Sequence, residues 1–274
     1  MSIILGVDIG GSTTKIVGLR EDGSLLSTLR VAAGDQLTSL YGGIGNYLNQ
    51  NRLSLGDVGK IVLTGVGAAL VHDDIYGIPT EKVSEFTAIG CGGLALSKRE
   101  RAVVVSMGTG TAFVWATPEG VRHLGGSGVG GGTLLGLCAL LTGSHSTEQI
   151  EKLLSLGGDL GRIDLTVGDL SQDENFTLNA SVTAANFGKV ADDASPADLA
   201  LGVTNMVMEV LGTIAYFACE RCQTKTAVLV GSFTDVQACR DLLDHVSKLY
   251  GIEMLIPQNA AFAPAIGAAL QSIR

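Results

Sequence analysis

Asp8 is followed within a few residues by Gly10, Gly11, Ser12, Thr13, Thr14 and Lys15, a carboxylate, a glycine turn, hydroxyls and a cation. Those residue types at that spacing suit metal-bound phosphate, because successive backbone N–H groups in a tight glycine turn can point at phosphate oxygens. Asp8 would hold the metal directly or through water, while Lys15 or the hydroxyls of Ser12 and Thr13 would meet the phosphate. The alternative for Lys15 is an exposed strand position. The spacing is not that of a Walker loop, which closes a longer glycine loop with Lys-Ser/Thr. A plain hairpin between buried strands would also use Gly10-Gly11. The pattern recurs, however: Val103 to Trp115 again reads apolar strand, glycine-hydroxyl turn, apolar strand, with Gly108 and Thr111 falling 98 residues after Gly10 and Thr13. Two related halves facing a shared cleft are expected.

Three further segments carry candidate chemistry. Gly125 to Thr133 holds six glycines in nine residues and leads into an apolar helix, Leu134 to Leu141. Close backbone approach and the free N–H groups of a helix start would suit an anion there, with a flexible linker as the alternative. Ser84 can cap a helix spanning Val83 to Lys98 whose first turn carries Glu85. The helix dipole keeps such a glutamate ionised and available as a proton acceptor, although the pattern alone fits a dipole-stabilising residue at least as well. The strand end at Gly231-Ser232 is open to two readings, a contact to a nucleotide base or ribose and an ordinary strand-to-loop turn.

The elements that must position these residues alternate in type. Residues 3–31 read as a β-meander with a turn at Glu21 to Ser24, followed by a helix from about Asp35 to Asn51 and a strand from Ile61 to Gly65. A long apolar-periodic helix runs from Ala197 to about Gln223, then strands at Ala227–Phe233 and Ile252–Pro257 and a terminal helix Ala261–Ser272. Between them helices are read near Glu148–Ser155 and Val182–Val190. The whole is an α/β chain.

With 274 residues, 46% of them hydrophobic, the chain can bury one large core or two modest ones. Two lobes are expected, residues 1–101 with the first turn and Glu85, and residues 102–274 with the second turn and the Gly-rich loop. A net charge of −9 without a basic cluster argues against nucleic acid as a partner. No run reads as a membrane span or signal peptide, so a cytoplasmic location is expected. The five cysteines are odd in number and mostly in apolar helical contexts, as reduced thiols would be. Cys219-x-x-Cys222 lacks a second pair for zinc, and no metal or redox work is expected of it.

In order and type these parts resemble the actin, Hsp70 and sugar-kinase superfamily, and more closely the type II pantothenate kinases. The resemblance covers nearly the whole chain. It rests on Asp8-Ile-Gly-Gly-Ser-Thr-Thr-Lys15, Glu85-Phe-Thr-Ala88, Gly108-Thr-Gly-Thr111, Gly126 to Thr133, Thr183-Ala-Ala-Asn-Phe-Gly188, Gly231-Ser-Phe233 and Asn259 to Ala268. The glycine turns are common to the superfamily, and Glu-Phe-x-Ala and Ala-Ala-Asn-Phe-Gly are more selective. The resemblance implies a two-lobed actin-like ATPase (ribonuclease H-like) fold with ATP in the interlobe cleft. It also implies MgATP-dependent phosphorylation of the pantothenate hydroxyl, giving 4′-phosphopantothenate on the way to coenzyme A.

By that resemblance Glu85 is the general base and Asp8 organises Mg2+. ATP contacts are implied for Asp8, Ile9, Gly10, Gly11, Ser12, Thr13, Thr14, Lys15, Thr109, Gly131, Gly132, Thr133, Leu134, Leu135, Thr147 and Ser232. Substrate contacts are implied for Glu85, Thr109, Arg122, Thr183 and Ala184, the last two supplied by the neighbouring protomer of a homodimer. Inhibition by coenzyme A or acyl-CoA is left open. The family places an arginine just before the Gly-rich turn, where this chain reads Val121-Arg122-His123-Leu124. Ungapped matching selects His123 and residue type selects Arg122, two positions on opposite faces of a strand. Arg122 is preferred as catalytic, with a one-residue register slip, because a guanidinium stays charged and clamps a carboxylate or phosphate. Two other readings use the same fold. A sugar or N-acetylhexosamine kinase would usually bring an Asp base and a Cys/His zinc cluster, absent here. An activator ATPase would share an iron–sulfur cluster between subunits, whereas Cys91-Gly-Gly93 offers one cysteine.

Overall fold

The computed structural model describes residues 2–170 and 179–273. Its first sheet begins with the apolar meander β1 (Ile3–Ile9), β2 (Thr13–Leu19) and β3 (Leu25–Ala32). Then come α1 (Gln36–Asn51), β4 (Val58–Thr64) and β5 (Thr80–Lys82). The strand order is β3-β2-β1-β4-β5, with β4 parallel to β1 and β5 parallel to β4. α1 starts where the Asp35 carboxylate accepts the Thr38 N–H at 2.7 Å, satisfying one of the free donors of the first turn.

After α2 (Glu85–Ser97) the pattern repeats as β6 (Ala102–Met107), β7 (Thr111–Thr117) and β8 (Gly120–Ser127). There follow α3 (Gly131–Thr142), α4 (Thr147–Ser155), β9 (Leu165–Thr166), α5 (Val167–Leu170), β10 (Thr183–Ala185) and the 27-residue α6 (Pro196–Cys222). The chain closes with β11 (Thr226–Val230), α7 (Gln237–Tyr250), β12 (Glu253–Leu255) and α8 (Ala263–Gln271). The second sheet, β12-β11-β6-β7-β8, has the same arrangement as the first, a meander with two parallel strands added beside its first strand. That duplication is the origin of the 98-residue repeat, since β2 starts at Thr13 and β7 at Thr111.

One face of the first sheet packs Ile9 and Ile16 against Leu40, Ile44 and Tyr47 of α1. Its other face receives α8, which comes from the far end of the chain and packs on β1, β2 and β4. α2 lies against α8 on one side and β6, β7, β8 and β11 on the other, so the two helices fill the space between the sheets. They approach to backbone contact. A Cβ on Gly92 would sit 1.9 Å from the Ala263 carbonyl oxygen, one on Gly267 1.9 Å from that of Ala88, and one on Gly6 2.1 Å from that of Ala265.

On the outer face of the second sheet, Val103, Val105 and Met107 form a core with Val203, Val207 and Leu211 of α6. By length and composition α6 could cross a bilayer, but more than half of its most apolar window is buried within this molecule. The helix expected at Val182–Val190 is not formed. Instead β10 pairs antiparallel with β9, and Asp164 accepts from the Phe187 N–H and from Asn205 Nδ2, each at 2.8 Å. Phe187 takes φ 57°, which ends any regular element there, so a buried carboxylate from another segment overrides local helix periodicity.

Gly267→Ala is expected to lower the unfolding free energy by about 3 kcal/mol or more, because the backbone it meets has no room to yield. Gly42→Ala on α1, where the added Cβ meets nothing within 4 Å, should raise it. The gain expected there is about 0.5–1 kcal/mol, and chemical denaturation of both variants measures the contrast.

Candidate active site

The β1–β2 turn is closed by the Gly10 N–H donating to the Thr13 carbonyl at 3.0 Å. Directly below it Asp8 and Lys15 are cross-strand partners, with Nζ 3.7 Å from Oδ2 and residue exposures of only 8% and 6%. Lys15 is therefore a buried ion-pair partner and not an exposed strand residue. Burial pushes the Asp8 carboxyl above the usual carboxylate range and the Lys15 ammonium below its ordinary value, each opposed by the other's charge. Ile9 and Thr14, the next pair, alternate to the α1 face and are buried, so only their backbones reach the turn.

The second turn is braced by the Gly-rich loop. Gly131 N–H donates to Gly108 O at 2.9 Å and Gly132 N–H to Thr109 O at 2.8 Å. Those two donors, expected to face phosphate, are engaged inside the protein. Close packing explains the glycines, since a Cβ on either would lie 2.9 Å from the same carbonyl oxygens. The Thr133 hydroxyl accepts the Gly130 N–H and donates to Gly128 O, closing the start of α3. Leu134 is core, and Leu135 packs against it. The Ser12 and Thr109 hydroxyls lie 3.5 Å apart, so the two turns meet although 97 residues separate them.

Glu85 is the first residue of α2, whose Ser84 cap accepts the Thr87 N–H at 3.2 Å. The Val83 N–H donates to Leu63 O at 2.9 Å and thereby fixes this helix start beside the end of β4. Partial burial and then the nearby Asp8 charge raise the proton affinity of Glu85, while Lys15 lowers it. Asp8, Lys15 and Glu85 thus form one electrostatic cluster at the turns.

The arginine expected beside this cluster is elsewhere. Phe113 pairs with Gly125 and Val114 with His123, leaving Leu124 as an extra residue in β8. This bulge turns His123 to the α2 face, where it stacks on Phe86 with centroids 3.9 Å apart. Arg122 consequently points to the α6 face, beside Cys222, whose thiol is raised by burial and lowered by the guanidinium. His123 and not Arg122 therefore contacts the helix that begins with Glu85.

Residues 101–270 match the family model described as Fumble. The chain belongs to the Fumble family. It is similar to the type II pantothenate kinase of Staphylococcus aureus (strain USA300), 29% identical with 96% of this chain and 97% of that protein covered. This places it among kinases of the pantothenate kinase family. Among solved structures it is similar to the activator of the 2-hydroxyisocaproyl-CoA dehydratase from Clostridium difficile with bound ADPNP. There the TM-score is 0.72 at 16% identity, over 99% of this chain and 94% of that one. A ROK family glucokinase from Streptomyces griseus in complex with glucose and AMPPNP gives a TM-score of 0.67 at 12% identity, over 98% and 99%. The fold is the two-lobed actin-like ATPase fold.

The remaining residues expected of a Fumble-family site are spread more widely. Thr147 opens α4 after the Ser146 cap. Ser232 follows Gly231, which takes φ 96° and whose Cβ would lie 2.5 Å from Met107 O. Thr183 donates to Glu209 at 2.6 Å, and with Asn186, Thr213, Phe217 and Tyr250 it lines a cavity of about 370 Å3 that contains none of Asp8, Lys15 and Glu85. Ala184 lies beside Thr183 on β10. Sequence reasoning missed Arg30 and Asp235, paired at 2.5 Å across the two halves, with Arg30 the cross-strand neighbour of Lys15. The Asp22-Gly23 hairpin signal, carried through to register, would have placed Arg30 there.

Among the described residues no group of three or more His, Cys, Asp or Glu could hold a metal. The donor set still suits Mg2+, which is commonly held by one carboxylate with waters and substrate phosphates, as the buried Asp8 would provide. A Ser12→Cys/Thr109→Cys double variant is expected to cross-link the turns under mild oxidation, given the 3.5 Å hydroxyl separation. The denatured thiol count should fall by two and recover with reductant.

Proposed function

We propose that this chain phosphorylates the primary hydroxyl of pantothenate with MgATP, giving 4′-phosphopantothenate on the way to coenzyme A. The observation that carries the proposal is the Asp8–Lys15–Glu85 cluster beneath two meeting glycine turns, in a Fumble-family chain similar along 96% of its length to a type II pantothenate kinase. ATP as donor is supported by the ATP analogues bound to both structural neighbours.

In this reading Gly10 to Thr13 and Gly108 to Thr111 receive the phosphates, and Lys15 sets the charge beside them. Mg2+ at Asp8 would neutralise charge on the phosphate oxygens. Glu85 accepts the proton of the attacking hydroxyl as the phosphoryl group moves. Its raised proton affinity makes it a better acceptor near neutral pH than an ordinary carboxylate. His123, held flat on Phe86, offers ring N–H groups to the acceptor, in the place where the family has an arginine. Thr183 and Ala184 enter the site only from a second protomer, which makes a homodimer through the outer side of α6 part of the proposal. Phe217 on that side is 63% exposed.

The test is ADP release with MgATP, with and without pantothenate. Pantothenate-dependent turnover is expected, falling about 10²–10⁴-fold in Glu85→Ala, and release indifferent to pantothenate would overturn the reading. Glu85 must be ionised to act and its pKa is raised from 4.5, so kcat/KM should fall on the acid side with a midpoint above that value. Lys15 opposes the rise, so Lys15→Met should move this acid limb to higher pH. His123→Ala should raise the pantothenate KM about tenfold, roughly one lost polar contact.

A further inference from the structure

Among the described residues two buried side-chain hydroxyls, those of Thr14 and Thr64, have no hydrogen-bond partner, and both residues are 0% exposed. Their settings differ. Thr14 is the cross-strand partner of Ile9 and lies on the α1 face of the sheet. Thr64, the last residue of β4, is in register with Asp8 in the parallel β1–β4 pair, so both side chains leave the same face. Val62, two residues earlier on that face, packs with Ala88 and Ala268 in the layer of α2 and α8.

The chain on either side of Thr64 runs close to Asp8 and to the start of α2. The following residue, Gly65, takes φ 83° and approaches so near that a Cβ would lie 2.5 Å from Asp8 Oδ1. The hydrogen bond from Val83 to Leu63 brings the start of α2 alongside. Asp8 itself is buried, and its cation partner Lys15 stands at 3.7 Å, longer than a hydrogen bond. A buried donor without an acceptor thus lies beside a buried carboxylate with spare acceptor capacity. An unpaired buried hydroxyl is destabilising, and valine has the same shape without it.

We propose that Thr64 is a positioning residue for Asp8, its Oγ1–H donating to the Asp8 carboxylate when that group turns from Lys15 towards the cation of the bound metal–nucleotide. The hydrogen bond holds one carboxylate rotamer and leaves the remaining oxygen lone pairs directed at the cation or its water. The inference rests on the kinase reading for the task of Asp8 and not on the identity of the acceptor.

Calorimetric titration with ADP, in magnesium and in EDTA, compares the wild type with Thr64→Val and Thr64→Ser. Thr64→Val should bind MgADP about 10–100-fold more weakly, the usual effect of losing an outer-shell partner, with metal-free ADP binding unchanged. Thr64→Ser should stay within about threefold of wild type. The melting temperature of Thr64→Val should equal or exceed that of wild type. Wild-type MgADP affinity in Thr64→Val would overturn the inference, as would weakened binding in both variants with lowered melting temperatures, which marks a packing role. Magnesium-independent ADP binding by the wild type would overturn it together with the metal assignment of Asp8. A magnesium-specific loss in Thr64→Val, in an enzyme that fails to phosphorylate pantothenate, supports Thr64 and removes only the acceptor assignment.

Discussion

The contact between the α2 and α8 backbones sets the dimensions of the molecule. Carbonyl oxygens of Ala88, Ala263 and Ala265 occupy the space that side chains on Gly267, Gly92 and Gly6 would fill, so two helices fit where ordinary side chains would force the sheets apart. Because α2 rests on the second sheet and α8 on the first, this spacing brings the start of α2 to the end of β1 and β4. The distance between Glu85 and Asp8 is therefore a consequence of glycine and alanine content far from either residue. Close packing of this kind transmits small changes, since a core without voids cannot absorb an added methyl.

Within that frame the candidate site gathers charge where water is scarce. Asp8 and Lys15 are opposite each other on adjacent strands and nearly buried, so each perturbs the other and both act on Glu85. Two carboxylates near one ammonium give a cluster in which the raised proton affinity of Glu85 follows from withdrawal from water and from Asp8, with Lys15 limiting the rise. Arg30 and Asp235 extend the alternation of charge across the two halves, beside Lys15 and after the Gly231 turn. Positioning and charge compensation of this type are what phosphoryl transfer demands of a protein.

Much of this was legible in the chain itself. The apolar runs at residues 3–9 and 102–107, the glycine turns after them and the 98-residue offset announced two related halves, and the structure adds β8 to make the second a meander in a matching sheet. Ser84 as a cap placed Glu85 at a helix start, because that signal depends only on neighbours three residues away. The segment around residues 182–190 was misread as helix because its conformation depends on Asp164 and Asn205, which no local pattern reveals.

The choice between Arg122 and His123 shows the same division. Alternation told that they would face opposite ways, but a single extra residue at Leu124 decided which way, and a bulge is settled by how two strands and their glycine loop fit together. By itself the sequence determined most of the elements, the duplicated glycine turns and the identity of the charged residues, because periodicity, capping and turn chemistry are short-range. Only the tertiary structure decided that Lys15 is buried against Asp8, that the N–H groups of Gly131 and Gly132 are consumed in bracing the second turn, and that Thr64 lies in register with Asp8. Each of those depends on strand register and interlayer spacing, quantities set by contacts between residues tens of positions apart.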